Sequence, residues 1–86
     1  MIVRFTAEGM RDFGYWEATN PRLVTKINNL ISSIEATPFN GLGKPEALKG
    51  DWSGWWSRRI TEEHRLLYRI HAGVIEIARC RFHYKK

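Results

Sequence analysis

A single cysteine, Cys80, leaves the chain unable to form an internal disulfide, and nothing in it calls for an oxidising compartment. No apolar run approaches the roughly 18 residues that a bilayer-spanning helix needs. Residues 1–5, Met-Ile-Val-Arg-Phe, lack the apolar stretch and small-residue cleavage site of a secretion signal. His64, His71, His83 and Cys80 show no paired metal-ligand spacing, and no serine lies in a nucleophile-elbow motif. These absences argue against a membrane protein, a disulfide-stapled secreted scaffold, a zinc domain and a serine hydrolase. The expectation is one cytoplasmic domain spanning residues 1–86, with no metal or other cofactor.

Acidic residues are also scarce, 9 Asp+Glu against 14 Lys+Arg, and the imbalance is localised. From Met1 to Ser57 the charges cancel. From Arg58 onward eight cations face only Glu62, Glu63 and Glu76, and six of the eight are arginine. A guanidinium presents a planar fork matched to phosphate oxygens, so a polyanionic partner suits the last third of the chain. On charge alone, a solvated basic face serving solubility fits as well.

Hydrophobic residues make up 43% of the 86, enough for one packed core. Residues 2–5 read as a strand. Thr6 can cap a helix over 7–18, which Gly9 and Gly14 weaken. Asn20-Pro21 opens a second helix, where Leu23, Ile27, Leu30, Ile31 and Ile34 form one apolar stripe, and Thr37-Pro38 ends it. Residues 38–54 hold Pro38, Gly41, Gly43, Pro45, Gly50 and Gly54 and read as loop. Gly41-Leu42-Gly43-Lys44 there is not a phosphate-binding loop, because the spacing is wrong and no Ser or Thr follows the lysine. Strand-like runs follow at 55–61, 65–71 and 74–82, separated by hairpin-length gaps. The order predicts an α+β fold, an N-terminal strand and two helices packed on an antiparallel sheet.

Alternation in the last run puts Ala78, Cys80 and Phe82 on a core face and Arg79, Arg81 and His83 on a basic one. Glu76, Ile75 and Ile77 break that sorting, and a second packed surface or a dimer contact would account for the isoleucines. Cys80 takes the core parity, which suits an inert thiol better than a nucleophile. Trp52, Trp55 and Trp56 cluster where exposed tryptophans would mark an interface.

A loop carboxylate (Glu46), several arginines and a near-terminal His83-Tyr84 remain. These types suit phosphodiester cleavage without metal: a base for a ribose 2′-hydroxyl, an acid for the departing 5′-oxygen, and cations for the charge on phosphorus. By type alone each has a plainer reading. Glu46 suits a solvated loop carboxylate, His83 an ordinary terminal histidine, and Arg65 a partner for Glu62 or Glu63.

The stretch Thr37-Pro38-Phe39, Gly43-Lys44-Pro45-Glu46, Leu48-Lys49, then Trp56-Ser57-Arg58-Arg59-Ile60-Thr61-Glu62-Glu63-His64-Arg65-Leu66, and finally Cys80-Arg81-Phe82-His83-Tyr84, resembles the YoeB toxins of the RelE/ParE superfamily. The likeness covers nearly the whole chain. It implies a microbial-ribonuclease-like RelE fold and a ribosome-dependent endoribonuclease, the toxin of a type II toxin–antitoxin system that cuts mRNA in the ribosomal A site. It further implies a YefM-like antitoxin that blocks the site, and operator DNA bound by the toxin–antitoxin complex in autorepression. Carried over by position, Glu46 becomes the general base, His83 the general acid and Arg65 the phosphate stabiliser. Tyr84 helps place substrate, and Lys49, Arg58, Arg59 and Arg81 bind the RNA backbone. Lys85 and Lys86 extend past the family's usual His-Tyr ending, and Asp51, Trp52 and Trp55 fall in or beside a variable loop. The rival functions are a non-catalytic RNA-binding module, a ParE-like gyrase inhibitor, and an interaction protein with a dead site.

Overall fold

The β-branched and aromatic start forms β1 (Ile2–Phe5), and Thr6 then turns the chain into α1 (Ala7–Thr19). The computed structural model describes residues 1–83 and continues through α2 (Pro21–Ala36), β2 (Glu46–Ala47), a 3-10 turn (Gly50–Trp52), β3 (Trp56–Arg59), β4 (Arg65–His71) and β5 (Val74–Arg79). Tyr84, Lys85 and Lys86 lie outside the described residues.

One hydroxyl starts α1 and ties it to the sheet. Thr6 Oγ1 accepts the Gly9 amide at 3.0 Å and donates to the Ala78 carbonyl oxygen at 2.9 Å. Gly9, expected only to weaken the helix, is what lets it sit close. A Cβ at that position would lie 2.6 Å from the Ile77 carbonyl oxygen, so a side chain there would push α1 off β5. α2 starts on Pro21 and buries Ile27, Leu30, Ile31 and Ile34, the stripe its periodicity predicts.

The five-stranded sheet runs β1-β5-β4-β3-β2. Strands β2 to β5 pair antiparallel, as expected of the meander, while β1 lies parallel beside β5 and makes the sheet mixed. Strand β2 has two residues, too few to show alternation, and lies in a Gly- and Pro-rich stretch. It was therefore hidden in what reads as loop. On β5 the pairing steps from Tyr68–Ile77 to Leu67–Arg79, leaving Ala78 as an extra residue. This bulge resets the parity of the strand. Before it, Ile75 and Ile77 face the helices; after it, Cys80 does, while Ala78 faces away. The two isoleucines thus belong to the main core, and neither a dimer contact nor a second surface is needed to explain them. Regular pairing ends at Arg79 rather than at residue 82, and Phe82 is 55% exposed.

Both faces of the sheet carry apolar residues. The helix side holds the main core, with Trp16, Ile27, Leu30, Ile34 and Leu66 buried around Tyr68. On the other side Leu48, Leu67 and Ala78 form a small second core under Trp52 and Trp55. The Arg69 and Arg79 guanidinium carbons lie 4.6 and 4.9 Å from the Trp55 and Trp52 ring centres. These two tryptophans are half-buried lids on a core, not the exposed platform their clustering suggested. Trp56 points to the helix side, its ring centre 4.9 Å from that of Phe39.

Candidate active site

Residues opposite one another in an antiparallel pair project from the same face. The pairs Glu46–Ser57, Ser57–Leu67 and Arg59–Arg65 therefore share the helix-free face. There Glu46, Ser57, Arg59 and Arg65 line a cavity of about 380 Å³, together with Lys44, Pro45 and His83. Two arginines directly opposite repel, so the local pairing is unfavourable and the site concentrates positive charge. Lys44, Arg59 and Arg65 surround one carboxylate, Glu46, with His83 at the same cavity.

Arg65 is held by main chain, not by the carboxylates beside it. Its Nη1 donates to the carbonyl oxygens of Thr61, Glu62 and His64 at 2.8, 2.9 and 3.1 Å. The plainer reading of Arg65, a partner for the Glu62 or Glu63 side chain, gives way to this carbonyl cradle. Only 8% of Arg65 is exposed, so the guanidinium is fixed at the cavity wall with its charge intact.

The neighbouring Arg58 does something else. Alternation on β3 sends it through to the helix side, where it is fully buried. Nε donates to Tyr68 Oη at 3.1 Å, Nη1 to Ser33 Oγ and the Leu42 carbonyl at 2.8 and 3.1 Å, and Nη2 to the Thr37 and Asn40 carbonyls at 2.7 and 2.8 Å. Tyr68 Oη in turn donates to the Pro38 carbonyl at 2.7 Å, and burial pushes its phenol above the ordinary value. Arg58 is thus a clamp on residues 37–42, the loop leading to Glu46, and is not on the face expected to bind RNA. The Arg59 amide continues the clamp, donating to the Gly43 carbonyl at 2.6 Å.

His83 follows a tail that α1 holds in place. Asp12 Oδ2 accepts the Cys80 amide at 3.0 Å, and Trp16 Nε1 donates to the Cys80 carbonyl at 2.8 Å. Asp12 and Trp16 are four apart and share one helix face, so a single turn of α1 grips both sides of one residue. Burial holds the Asp12 carboxyl above its ordinary value, only partly offset by the Cys80 amide. Burial, with Asp12 adding to it, pushes the Cys80 thiol up to about 12, which suits the inert thiol expected.

Of the residues singled out from sequence, Glu46, Arg59, Arg65 and His83 meet at the cavity. Lys49 is exposed just beyond β2 and does not line it. Arg81 packs its guanidinium carbon 3.5 and 4.4 Å from the Tyr15 and Phe82 ring centres, also away from the lining. Tyr84 lies outside the described residues. Sequence reading missed Lys44, Pro45 and Ser57. Ser57 was recoverable, since it sits two residues before Arg59 on one strand. Among the described residues no three His, Cys, Asp or Glu side chains group as they would around a metal ion, and no helix is long and apolar enough to cross a membrane.

Comparison with known proteins places the chain in a family. The profile of one family, the YoeB-like toxin of bacterial type II toxin–antitoxin systems, matches residues 5–84. The chain belongs to this family. Toxin YoeB of Escherichia coli K12 is 52% identical over 84 residues, covering 98% of this chain and all of that one. A YoeB/ParE toxin from Agrobacterium tumefaciens superposes with a TM-score of 0.94 at 51% identity, over 98% of this chain and 100% of its own. Staphylococcus aureus YoeB, 39% identical, has been seen as a dimer and in a heterotetrameric YoeB-YefM complex, with TM-scores of 0.92 and 0.91 over 98% of both chains in each case. The likeness read from the Trp-Ser-Arg-Arg-Ile-Thr-Glu-Glu-His-Arg block is therefore a family relationship, and the α+β fold is that of the YoeB toxins.

Proposed function

We propose that this YoeB-family toxin is a ribosome-dependent endoribonuclease that cleaves mRNA in the ribosomal A site and so stops translation. The observation that carries the reading is the convergence of Glu46, Arg59, Arg65 and His83 on one cavity from four separate segments of the chain. Glu46 takes the proton from a ribose 2′-hydroxyl, and the freed oxygen attacks the adjacent phosphorus. Arg65, with Arg59 and Lys44 beside it, stabilises the extra negative charge on the pentacovalent phosphate. Protonated His83 gives its proton to the departing 5′-oxygen, leaving a 2′,3′-cyclic phosphate and a 5′-hydroxyl end. Because the nucleophile is the substrate's own hydroxyl, the reaction calls on no metal-bound water. A carboxylate is a weak base for a hydroxyl, so positioning and charge stabilisation supply much of the rate.

In the same reading a YefM-like antitoxin lays an acidic segment over the basic cavity, competing with RNA phosphate for the same cations. The toxin–antitoxin complex then binds operator DNA and represses its own operon. Both steps belong to the cytoplasm, and self-association of the kind seen for the Staphylococcus aureus relative is compatible with an open site. The test is primer extension on a translated mRNA with and without the protein, with analysis of the new ends. Cuts that require ribosomes and carry cyclic phosphate ends support the reading. Intact mRNA alongside DNA damage would instead favour a gyrase target.

A further inference from the structure

We infer that His64, in its neutral form, is a positioning residue for His83, acting through the main chain of Phe82. The link to catalysis rests on the nuclease reading above; the geometry does not. His64 Nδ1 accepts the Phe82 amide at 2.7 Å. A nitrogen that accepts carries no proton, so the bound imidazole is neutral and protonated at Nε2, which lies 3.6 Å from Glu63 Oε1. The ring is half-buried and edge-on to Trp16, with centres 4.8 Å apart at 75°. Its position is set independently of the tail, because Thr61 Oγ1 accepts the His64 amide at 3.1 Å.

Phe82 needs holding. Its φ of 64° is left-handed, a region unfavourable for a residue that carries a Cβ. Bonds at both ends of the residue secure it: the amide to His64, and the carbonyl, which accepts the Arg65 amide at 3.1 Å. The residue after this kink is His83, at the cavity. The turn at 61–64 also supplies the three carbonyls that seat the Arg65 guanidinium. One turn therefore fixes the phosphate-binding cation directly and the proposed acid through His64, and so sets the spacing between them. A second proton on His64 would point a donor at a donor and release the tail. Of the titratable and charged groups around this contact, Glu63 lies 3.6 Å from the ring, Arg65 follows the turn in β4, and Arg81 and His83 flank Phe82 in the tail; α1 presents Trp16 to the ring and Asp12 to Cys80.

The experiment compares His64→Leu, which keeps bulk against Trp16 but removes the acceptor, with His64→Asn, whose side-chain oxygen restores an acceptor that does not titrate. Two quantities are read on the full chain: amide hydrogen exchange at Phe82, and single-turnover cleavage of ribosome-bound mRNA. For His64→Leu, Phe82 protection falls about tenfold, and cleavage slows about ten- to a hundredfold with ribosome affinity unchanged. His64→Asn recovers most of both, and acid lowers Phe82 protection in the wild type but not in His64→Asn. Wild-type protection or wild-type cleavage in His64→Leu overturns the proposal. So does a His64→Asn protein that melts like wild type yet is as impaired as His64→Leu. A wild-type protein that leaves mRNA intact sinks the nuclease reading, whereas the exchange measurement alone still upholds or overturns the docking of Phe82 on His64.

Discussion

The segment that leads to Glu46 is held from inside the core, whereas the segment that leads to His83 is held at the rim. The first hangs on Arg58, a fully buried cation whose five hydrogen bonds reach the loop carbonyls, Ser33 and Tyr68. The second hangs on single bonds from Asp12, Trp16, His64 and Arg65 to the main chain of residues 80 and 82. A guanidinium keeps its charge at any accessible pH, while a carboxylate and an imidazole do not. The proposed base is thus built into the fold, and the proposed acid rides on a docked tail that the Asp12 carboxylate and the neutral His64 ring help to hold. The difference makes the Glu46 side the more rigidly fixed of the two and leaves the His83 side dependent on single main-chain bonds.

Breaking the core clamp carries the largest expected effect. Arg58→Met removes all five hydrogen bonds to Tyr68, Ser33 and the carbonyls of Thr37, Asn40 and Leu42 from a buried site, and we expect a loss of about 3–5 kcal/mol. Urea unfolding reads this as a lower midpoint at unchanged slope. A loss below about 1 kcal/mol would mean the loop holds itself. Next is Gly9→Ala. Its Cβ would meet the Ile77 carbonyl, so α1 must move away from β5, at about 1–3 kcal/mol. The shift should carry Asp12 and Trp16 with it, and Cys80 amide exchange should rise while the Arg58 clamp stays protected. If both regions loosen together, the two are not separately held.

Asp12 gives a pH-dependent prediction. Its folded carboxyl titrates above its ordinary 3.8, so the folded state favours the protonated form. That contribution is fully present below 3.8 and is lost as pH rises through the raised value. Asp12→Asn retains an acceptor for the Cys80 amide without the buried charge. Its stability relative to wild type should improve from acid towards neutrality, and Asp12→Ala should follow the same pH trend about 1 kcal/mol below Asp12→Asn, for want of the acceptor. Parallel stability curves for wild type and Asp12→Asn would show that burial of the charge plays no part. The smallest effect is the sharpest reporter: Cys80, with its thiol pushed up to about 12 and donating to the Gly9 carbonyl, should resist thiol reagents in the native state. Rapid labelling without global unfolding would show that the end of β5 opens by itself.

The sequence and the structure part company at identifiable places. The α2 stripe and the β4 run were legible because their periods, 3.6 and 2, are carried by unbroken apolar residues. The end of β5 was not, because the bulge at Ala78 inverts the parity on which face assignment relies. Arg58 was misread with its neighbours as part of one basic block, although β3 alternation alone separates it from Arg59, placing it with Leu66 and Tyr68. Glu46 and His83 had equally plain readings by residue type, and only the family likeness singled them out. Their convergence depends on a two-residue strand and a left-handed Phe82, which no propensity announces. His64 and Asp12 were invisible as anchors because both bind main chain, which sequence patterns do not mark.

The central claim is that His83, delivered by the docked tail, protonates the leaving oxygen. A ribosome-bound mRNA with sulfur in place of the bridging 5′-oxygen at the cleavage position tests it, since a thiolate departs without a proton. On the ordinary mRNA, His83→Gln should lose about a hundredfold or more in single-turnover cleavage. On the sulfur-bridged mRNA it should cleave at close to the wild-type rate. An equal loss on both substrates would contradict the assignment and leave His83 a binding group.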